Sequence, residues 1–230
     1  MLLARLATLL LLPLALASCV LAPGKFTSTL TVNADRSFAF SYVGEVISAE
    51  PDGDVLNGKG SSDDNPAETA KSKARKKAEA DIKNRAIAAK LGKEAGYRKI
   101  AYLGDGMFMI DYAVSGRLDH TFVWPFNIDA EVILPFIAIE LRQNGVVRVK
   151  APAFGNEGTG ASPGISGMPG AETLQGQSRL DGVFTLDTDA EIVSQNNEDG
   201  VKSAGARKIM VWQATPTLKS APTAVLRLAR

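Results

Sequence analysis

The chain has 230 residues, and its 26 lysine and arginine side chains nearly balance its 25 aspartate and glutamate side chains. This balance argues against a nucleic-acid-binding protein, which usually carries a strongly basic surface. A single cysteine excludes an internal disulfide, and a single histidine leaves few ligands for a zinc site, so we expect no metal or other cofactor. The length suits one sizeable domain or two small ones, and we expect one.

The first residues have the pattern of a secretory leader. Arg5 is the only charged residue before position 19, and an apolar run from Leu9 to Ala17 follows it, interrupted by Pro13. The run is shorter than the roughly 20 residues that cross a bilayer. It closes as Leu16-Ala17-Ser18-Cys19, which resembles the bacterial lipobox. We therefore predict that residues 1–18 are a lipoprotein signal peptide.

The lipobox resemblance implies that Cys19 is an attachment point for lipid. In that family the cysteine sulfur receives a diacylglycerol, cleavage falls just before the cysteine, and the new amino terminus is acylated, as with palmitate. Two or more acyl chains anchor a protein stably, whereas one does not. The alternative is an ordinary leader with a cysteine near its cut. Val20 replaces the aspartate that retains Gram-negative lipoproteins in the inner membrane, so the resemblance favours the outer membrane, with the domain facing the periplasm.

Two strands are predicted first in the mature chain. The stretches KFTSTLTVN, from Lys25, and SFAFSYVGEVI, ending at Ile47, alternate apolar and polar residues around the turn ADR. One face of the first strand is predicted to hold Phe26, Ser28, Leu30 and Val32. One face of the second is predicted to hold Phe38, Phe40, Tyr42 and Val46. Residues 48–64 are rich in glycine, proline, aspartate and serine, which predicts a loop.

A long helix should follow this loop. Asn65 supplies a capping side chain, Pro66 suits the first helical position, and Glu68 places an acid in the first turn. Gly92 or Gly96 would end the helix. A narrow stripe of small residues repeats every four positions, which we expect to pack against a sheet. The stripe consists of Ala70, Ala74, Ala78, Ile82 and Ala86.

Further strands are predicted beyond the helix. A hairpin across Gly104-Asp105-Gly106 is expected from YRKIAYLGDGMFMIDYAVSG, and Asn144-Gly145 marks a second hairpin. Pro135 interrupts the apolar stretch between them. Near the carboxyl end, DGVFTLDTDAEIVSQN and ARKIMVWQA should supply strands that pair across NEDG.

These elements predict an α+β fold, a mostly antiparallel sheet with one long amphipathic basic helix. Residues 19–154 would form the α+β periplasmic domain. Residues 155–178, with seven glycines and two prolines, would form a flexible loop. Residues 179–230 would be a carboxyl-terminal β segment of the same domain, although the glycine-rich tract could instead divide two domains.

The helix is the most distinctive candidate site. Between Ala67 and Lys93 it carries nine basic residues and three acidic ones, a net charge of 9 − 3 = +6. On a lipid-anchored protein, such a helix could touch anionic head groups, and the alternative is a solvated basic face. The candidate contact residues are Lys71, Arg75, Lys76 and Lys83.

Other chemistries have weaker support in the sequence. His120 lies beside Asp119, but neighbours on a strand point to opposite faces, which favours a surface histidine. The pairs Asp63-Asp64 and Asp187-Asp189 could be the carboxylates of a glycosidase, but any acidic surface offers such pairs. An aromatic and aliphatic cluster could line an acyl-chain cavity or form ordinary core strands. This cluster consists of Phe122, Val123, Trp124, Phe126, Ile133, Leu134, Phe136 and Ile137.

The lipobox, the hairpin TLTVNADRSFAFSYVGEV and the late strand RKIMVWQA together resemble LppM-type bacterial lipoproteins. The resemblance implies an α+β envelope protein that contacts lipids or glycolipids. Many members of that family carry a carboxyl-terminal membrane helix, and no apolar run of that length follows Cys19 here. We therefore expect a non-enzymatic, lipid-anchored envelope protein that binds a lipid-like ligand or supports the envelope. The alternative is a scaffold or accessory subunit of an envelope protein complex.

Overall fold

A computed structural model describes residues 20–49, 66–125, 135–155 and 179–229 of the chain. Within these residues the protein consists of two β-sheets, one long helix and two short 3-10 turns, Gln143–Gly145 and Pro152–Phe154. This architecture is consistent with the α+β class predicted from the sequence. The predicted loop at residues 48–64 falls mostly outside the described residues, and so does nearly all of the glycine-rich tract.

The larger sheet has seven strands in the order β10-β11-β8-β1-β2-β4-β3. Its strands are β1 (Val20–Val32), β2 (Ser37–Ala49), β3 (Tyr97–Gly104), β4 (Met107–Arg117), β8 (Asp181–Thr188), β10 (Lys202–Ala204) and β11 (Arg207–Ala214). The two predicted hairpins, β1–β2 and β3–β4, are confirmed as antiparallel pairs. Among the described strands, β1 and β8 form the one parallel pair.

The smaller sheet has five strands in the order β5-β6-β7-β12-β9. Its strands are β5 (Phe122–Trp124), β6 (Ile137–Leu141), β7 (Val146–Lys150), β9 (Glu191–Gln195) and β12 (Thr223–Arg227). The predicted β6–β7 hairpin is confirmed. Asn144 and Gly145 have φ values of 62° and 74°, the left-handed conformation that an Asn-Gly hairpin turn requires.

The pairing of the carboxyl-terminal strands differs from the prediction. We expected the two stretches on either side of NEDG to pair with each other, and β8 does pair with β11. The adjacent β9 instead pairs with β12 in the smaller sheet. The chain changes sheets between Thr188 and Glu191, and no local pattern in the sequence signals that change. The strand β12 was not predicted at all.

A continuous aromatic core joins the two sheets. Phe26 stacks on Phe154 with ring centroids 4.3 Å apart, and it pairs with glycines on both neighbouring strands, Gly44 and Gly182. A Cβ atom on Gly182 would lie 2.2 Å from the ring of Phe26, so only glycine fits there. Successive rings pack within 6 Å along the series Trp124, Tyr42, Phe26, Phe154, Phe184 and Trp212.

The helix α1 spans Pro66–Leu91 and packs against β3. It begins at the predicted proline and ends one residue before Gly92, so both predicted boundaries are confirmed. The side chains of α1 that are buried or half-buried recur at intervals of three or four residues, which matches the helical period. They are Ala80, Asp81, Asn84, Ile87, Ala88 and Leu91.

The predicted packing stripe of this helix is wrong. Ala74, Ala78 and Ala86 are exposed, and Ile82 is 70% exposed. A strict four-residue repeat advances by about 40° per step relative to the helical turn, so five such positions sweep around nearly half of the helix. The stripe therefore cannot lie on one packing face, and Asn84 and Ile87 on another face meet the protein instead.

Candidate functional site

The basic helix is held to the turn between β3 and β4. The Lys77 ammonium lies 2.5 Å from the Asp105 carboxylate, which raises the pKa of Lys77 above its usual value. The Tyr102 hydroxyl donates a hydrogen bond to Asp81 and accepts one, of 3.0 Å, from the backbone N–H of Gly106. These contacts hold residues 77–81 of the helix beside the β3–β4 turn.

The same turn lies at the end of the large sheet where β1 begins. The backbone N–H of Ser48 donates to the Gly106 carbonyl at 2.8 Å, and Ser48 pairs with Leu21. Val20, paired with Ala49, is one residue further along. We call this end, formed by Val20, Ala49 and the turn at residues 105–106, the β1 end of the sheet. The opposite end carries the turn at residues 33–36.

The helix runs antiparallel to β3, so its first half lies toward the β1 end. Residue 77 contacts the β3–β4 turn, whereas Gly92 follows the helix and lies near Ile100. At 1.5 Å per residue, the eleven residues before Lys77 correspond to about 16 Å of helix. The amino-terminal half of α1 therefore extends past the turn at this end.

All four predicted head-group residues are exposed: Lys71, Arg75, Lys76 and Lys83. Their positions relative to the β3–β4 turn differ. Lys71, Arg75 and Lys76 precede Lys77 and lie beyond the turn, whereas Lys83 lies alongside the sheet. Arg75 forms an exposed ion pair with Glu79 at 3.3 Å. Lys73, which the sequence analysis did not select, is also exposed in this half of the helix, and its position between Lys71 and Arg75 was the available signal.

Cys19 lies outside the described residues, so its environment is not described. The residue that follows it, Val20, is the first residue of β1. The sheet thus starts one residue after the predicted lipid attachment point.

The candidate catalytic carboxylates Asp187 and Asp189 have separate partners. Asp187 binds the Arg207 guanidinium at 2.7 Å. Asp189 lies beyond the end of β8 and accepts a hydrogen bond of 2.7 Å from the backbone N–H of Ala34. Each carboxylate therefore has its own structural contact, and the strand does not continue through both. His120 is exposed after β4, and Asp63-Asp64 lies outside the described residues.

The aromatic cluster contributes to the core. Trp124, Phe136 and Ile137 are buried, and the Trp124 ring packs on Tyr42 with centroids 4.8 Å apart. Phe122 and Val123 are half-buried. The core-strand alternative fits these five residues better than an acyl-chain cavity does. The remaining members, Phe126, Ile133 and Leu134, lie outside the described residues.

Surface depressions lie on the large sheet within the described residues. A cleft of about 410 Å³ is lined by Lys25, Glu45, Arg179, Leu180 and Asp181. Its two basic and two acidic side chains cancel, so it does not favour a charged ligand of either sign. Another depression, of about 270 Å³, is lined mainly by short side chains. These are Thr29, Thr31, Ala39, Ser41, Ala113 and Ser115.

Within the described parts of the chain, no three or more histidine, cysteine, aspartate or glutamate residues are grouped so as to hold a metal ion. No helix among those residues has the length and apolar character required to span a bilayer. The basic half of α1 at the β1 end is therefore the strongest candidate site in the described structure, since it combines charge, exposure and a fixed position.

No protein-family model matches the sequence, and no curated protein sequence matches it. Among solved structures, the chain is similar to the NMR structure of the folded domain of Mycobacterium tuberculosis LppM. The two are 15% identical, and the similarity covers 91% of this chain and 93% of that one, with a TM-score of 0.31. At this level of similarity, a functional assignment has to rest on the residues of the chain itself.

Proposed function

We propose that this chain is a non-enzymatic lipoprotein of the cell envelope, anchored in the outer membrane by acyl chains on Cys19, with its domain in the periplasm. The observation that carries the proposal is the position of the lipobox. Leu16-Ala17-Ser18-Cys19 closes an apolar leader, and β1 begins at the next residue, Val20. Cleavage before Cys19 would remove the leader and leave all of β1 in the mature chain.

The lipid-like ligand of this protein is membrane lipid, recognised through its head groups. The exposed lysine and arginine side chains of α1 support this choice, because basic residues near an anionic surface contribute about 1 kcal/mol each. The packed aromatic core also favours head-group recognition over an internal acyl-chain cavity, because Trp124, Phe136 and Ile137 are already buried against other side chains.

The test is membrane fractionation of the full chain expressed in a Gram-negative host, beside Cys19→Ala. We expect the parent protein in the outer-membrane fraction after a high-salt wash, because acyl chains resist salt whereas charge contacts do not. Cys19→Ser provides a second variant in which the residue keeps a similar size. Recovery of the parent protein in the soluble fraction would refute the proposal.

A second candidate function is that of a subunit in an envelope protein complex. It is favoured by exposed apolar side chains on the edge strands of both sheets. Leu103 on β3 is 57% exposed and Val193 on β9 is 47% exposed, and an edge strand can pair with a strand of a partner. An envelope protein that co-purifies with the parent chain but not with Leu103→Lys or Val193→Lys would favour this function.

A further inference from the structure

We infer that the β1 end of the large sheet faces the membrane and that the amino-terminal half of α1 binds anionic lipid head groups there. This inference rests on the proposed anchoring through Cys19 and adds the orientation of the domain. The anchor fixes the orientation because Val20 is both the residue after Cys19 and the first residue of β1. A tether of one residue leaves the start of β1 close to the bilayer surface.

The charge of α1 is concentrated in the half that lies at this end. Residues 66–78 contain five basic side chains and one acidic side chain, a net charge of 5 − 1 = +4. Residues 79–91 contain three basic and two acidic side chains, a net charge of 3 − 2 = +1. The basic residues in the first half are Lys71, Lys73, Arg75, Lys76 and Lys77. An anionic surface would therefore attract the first half of the helix more strongly than the second.

The contact is electrostatic and does not require the helix to insert. Helices that bury themselves in the interface show tryptophan, phenylalanine or leucine on one side, whereas residues 71–78 contain only lysine, arginine, serine and alanine. All eight of these residues are exposed. Lys71 lies about 9 Å along the helix from Lys77, which is fixed to the β3–β4 turn. In this orientation, the first half of the helix carries its lysines on the side of the turn that faces the membrane.

The opposite end of the sheet carries charges of both signs. Three exposed carboxylates lie there, on Asp35, Asp119 and Asp189. The carboxyl-terminal residues also lie there, since the backbone N–H of Ala229 donates to the Ala34 carbonyl. Basic side chains lie at that end as well, on Arg36 and Arg117, and residues 50–65, which follow Ala49, contain five acidic residues and one lysine. The anchor, rather than net charge, therefore distinguishes the two ends of the sheet.

The experiment uses two matched serine-to-cysteine variants of the full, lipidated chain. Ser72→Cys lies between Lys71 and Lys73, and Ser203→Cys lies on β10 toward the opposite end; both serines are exposed. Acylation occupies the sulfur of Cys19, so a fluorophore labels only the introduced cysteine. Each labelled protein is reconstituted into vesicles of phosphatidylcholine with phosphatidylglycerol that contain a head-group quencher. We expect quenching at position 72 to exceed that at position 203 several-fold.

Charge variants separate head-group binding from simple tethering. In Lys71→Gln/Lys73→Gln, quenching at position 72 should fall toward the level in pure phosphatidylcholine vesicles. The control Arg117→Gln/Lys202→Gln removes the same charge near the opposite end and should leave quenching unchanged. Added salt should act like the first variant, since it screens exposed charges. Quenching independent of lipid charge, or equal at positions 72 and 203, would overturn the inference.

The two proposals fail in different ways. A chain that carries no acyl group by intact mass would refute the proposed function before any vesicle measurement. A chain that is acylated but shows no quenching at position 72 would leave the anchor intact and refute only the orientation. Greater quenching at position 203 than at position 72 would also refute it, because the opposite end would then face the membrane.

Discussion

At the scale of single residues, Thr188 connects three segments toward the opposite end of the large sheet. Its buried hydroxyl donates a hydrogen bond of 2.6 Å to the Val32 carbonyl and accepts one of 3.0 Å from the backbone N–H of Ala190. These bonds join the end of β1 to the point where the chain leaves β8 for the smaller sheet. The local sequence offers no sign of them, because their partners are distant in the chain or depend on the strand ending at Thr188.

We predict that Thr188→Val, which keeps the shape of the side chain, lowers the free energy of unfolding by about 1–3 kcal/mol, since it leaves a buried donor and a buried acceptor unsatisfied. Urea denaturation followed by circular dichroism measures this change. The matched control is Thr185→Val, on the half-buried outer face of the same strand, which should change stability little. Equal effects at both positions would show that the hydroxyl of Thr188 contributes nothing specific.

At the scale of elements, the ends of α1 could be predicted from its sequence, whereas the face that packs on the protein could not. Pro66 and Gly92 predicted its ends because both residues act through the backbone. Its packing face could not be found from the alanine repeat, because alanine is compatible with burial and with exposure. The two isoleucines take opposite roles: Ile87 packs against the core, and Ile82 is mostly exposed.

We therefore predict that Ile87→Ala costs about 1–3 kcal/mol of stability, less than for a fully buried isoleucine. Ile82→Ala, on the same helix, should be neutral or slightly stabilising because alanine has the higher helix propensity. Thermal unfolding of both variants provides the comparison. A larger loss for Ile82→Ala would mean that the helix packs through the alanine stripe after all.

The strand β12 shows a different limit of sequence analysis. Ala224 and Leu226 in the strand and Leu228 just after it are buried, so the period of a strand is present in TAVLRLAR. The strand is only five residues long, and the period of so short an apolar stretch does not by itself identify a strand. Its partners, β7 and β9, are far away in the sequence, and local patterns carry no information about such pairing. The same reason explains why the parallel pairing of β1 with β8 was not predicted.

At the scale of the whole molecule, the aromatic series through the core predicts cooperative unfolding. Trp124 lies in the smaller sheet and Trp212 in the larger, and they are the two tryptophans of the chain. Four packed rings connect them. Unfolding of one sheet would therefore expose the core aromatic residues of the other sheet to water. Trp124→Phe and Trp212→Phe each leave one tryptophan as a fluorescent probe of one sheet.

We predict that in each variant the midpoint of urea unfolding by tryptophan fluorescence coincides with the midpoint by circular dichroism, as two-state unfolding requires. The substitutions themselves shift stability, so the two methods are compared within each variant. Separate fluorescence and circular dichroism midpoints in either variant would show that the two sheets unfold independently.

The most direct test of lipid anchoring is the intact mass of the mature chain extracted from membranes. If Cys19 is the attachment point, the chain begins at Cys19 and carries the added mass of a diacylglycerol and a fatty acyl group. In Cys19→Ala that added mass should be absent. A mature chain that begins at another residue, or that retains a free thiol at Cys19, would contradict both the anchor and the orientation derived from it.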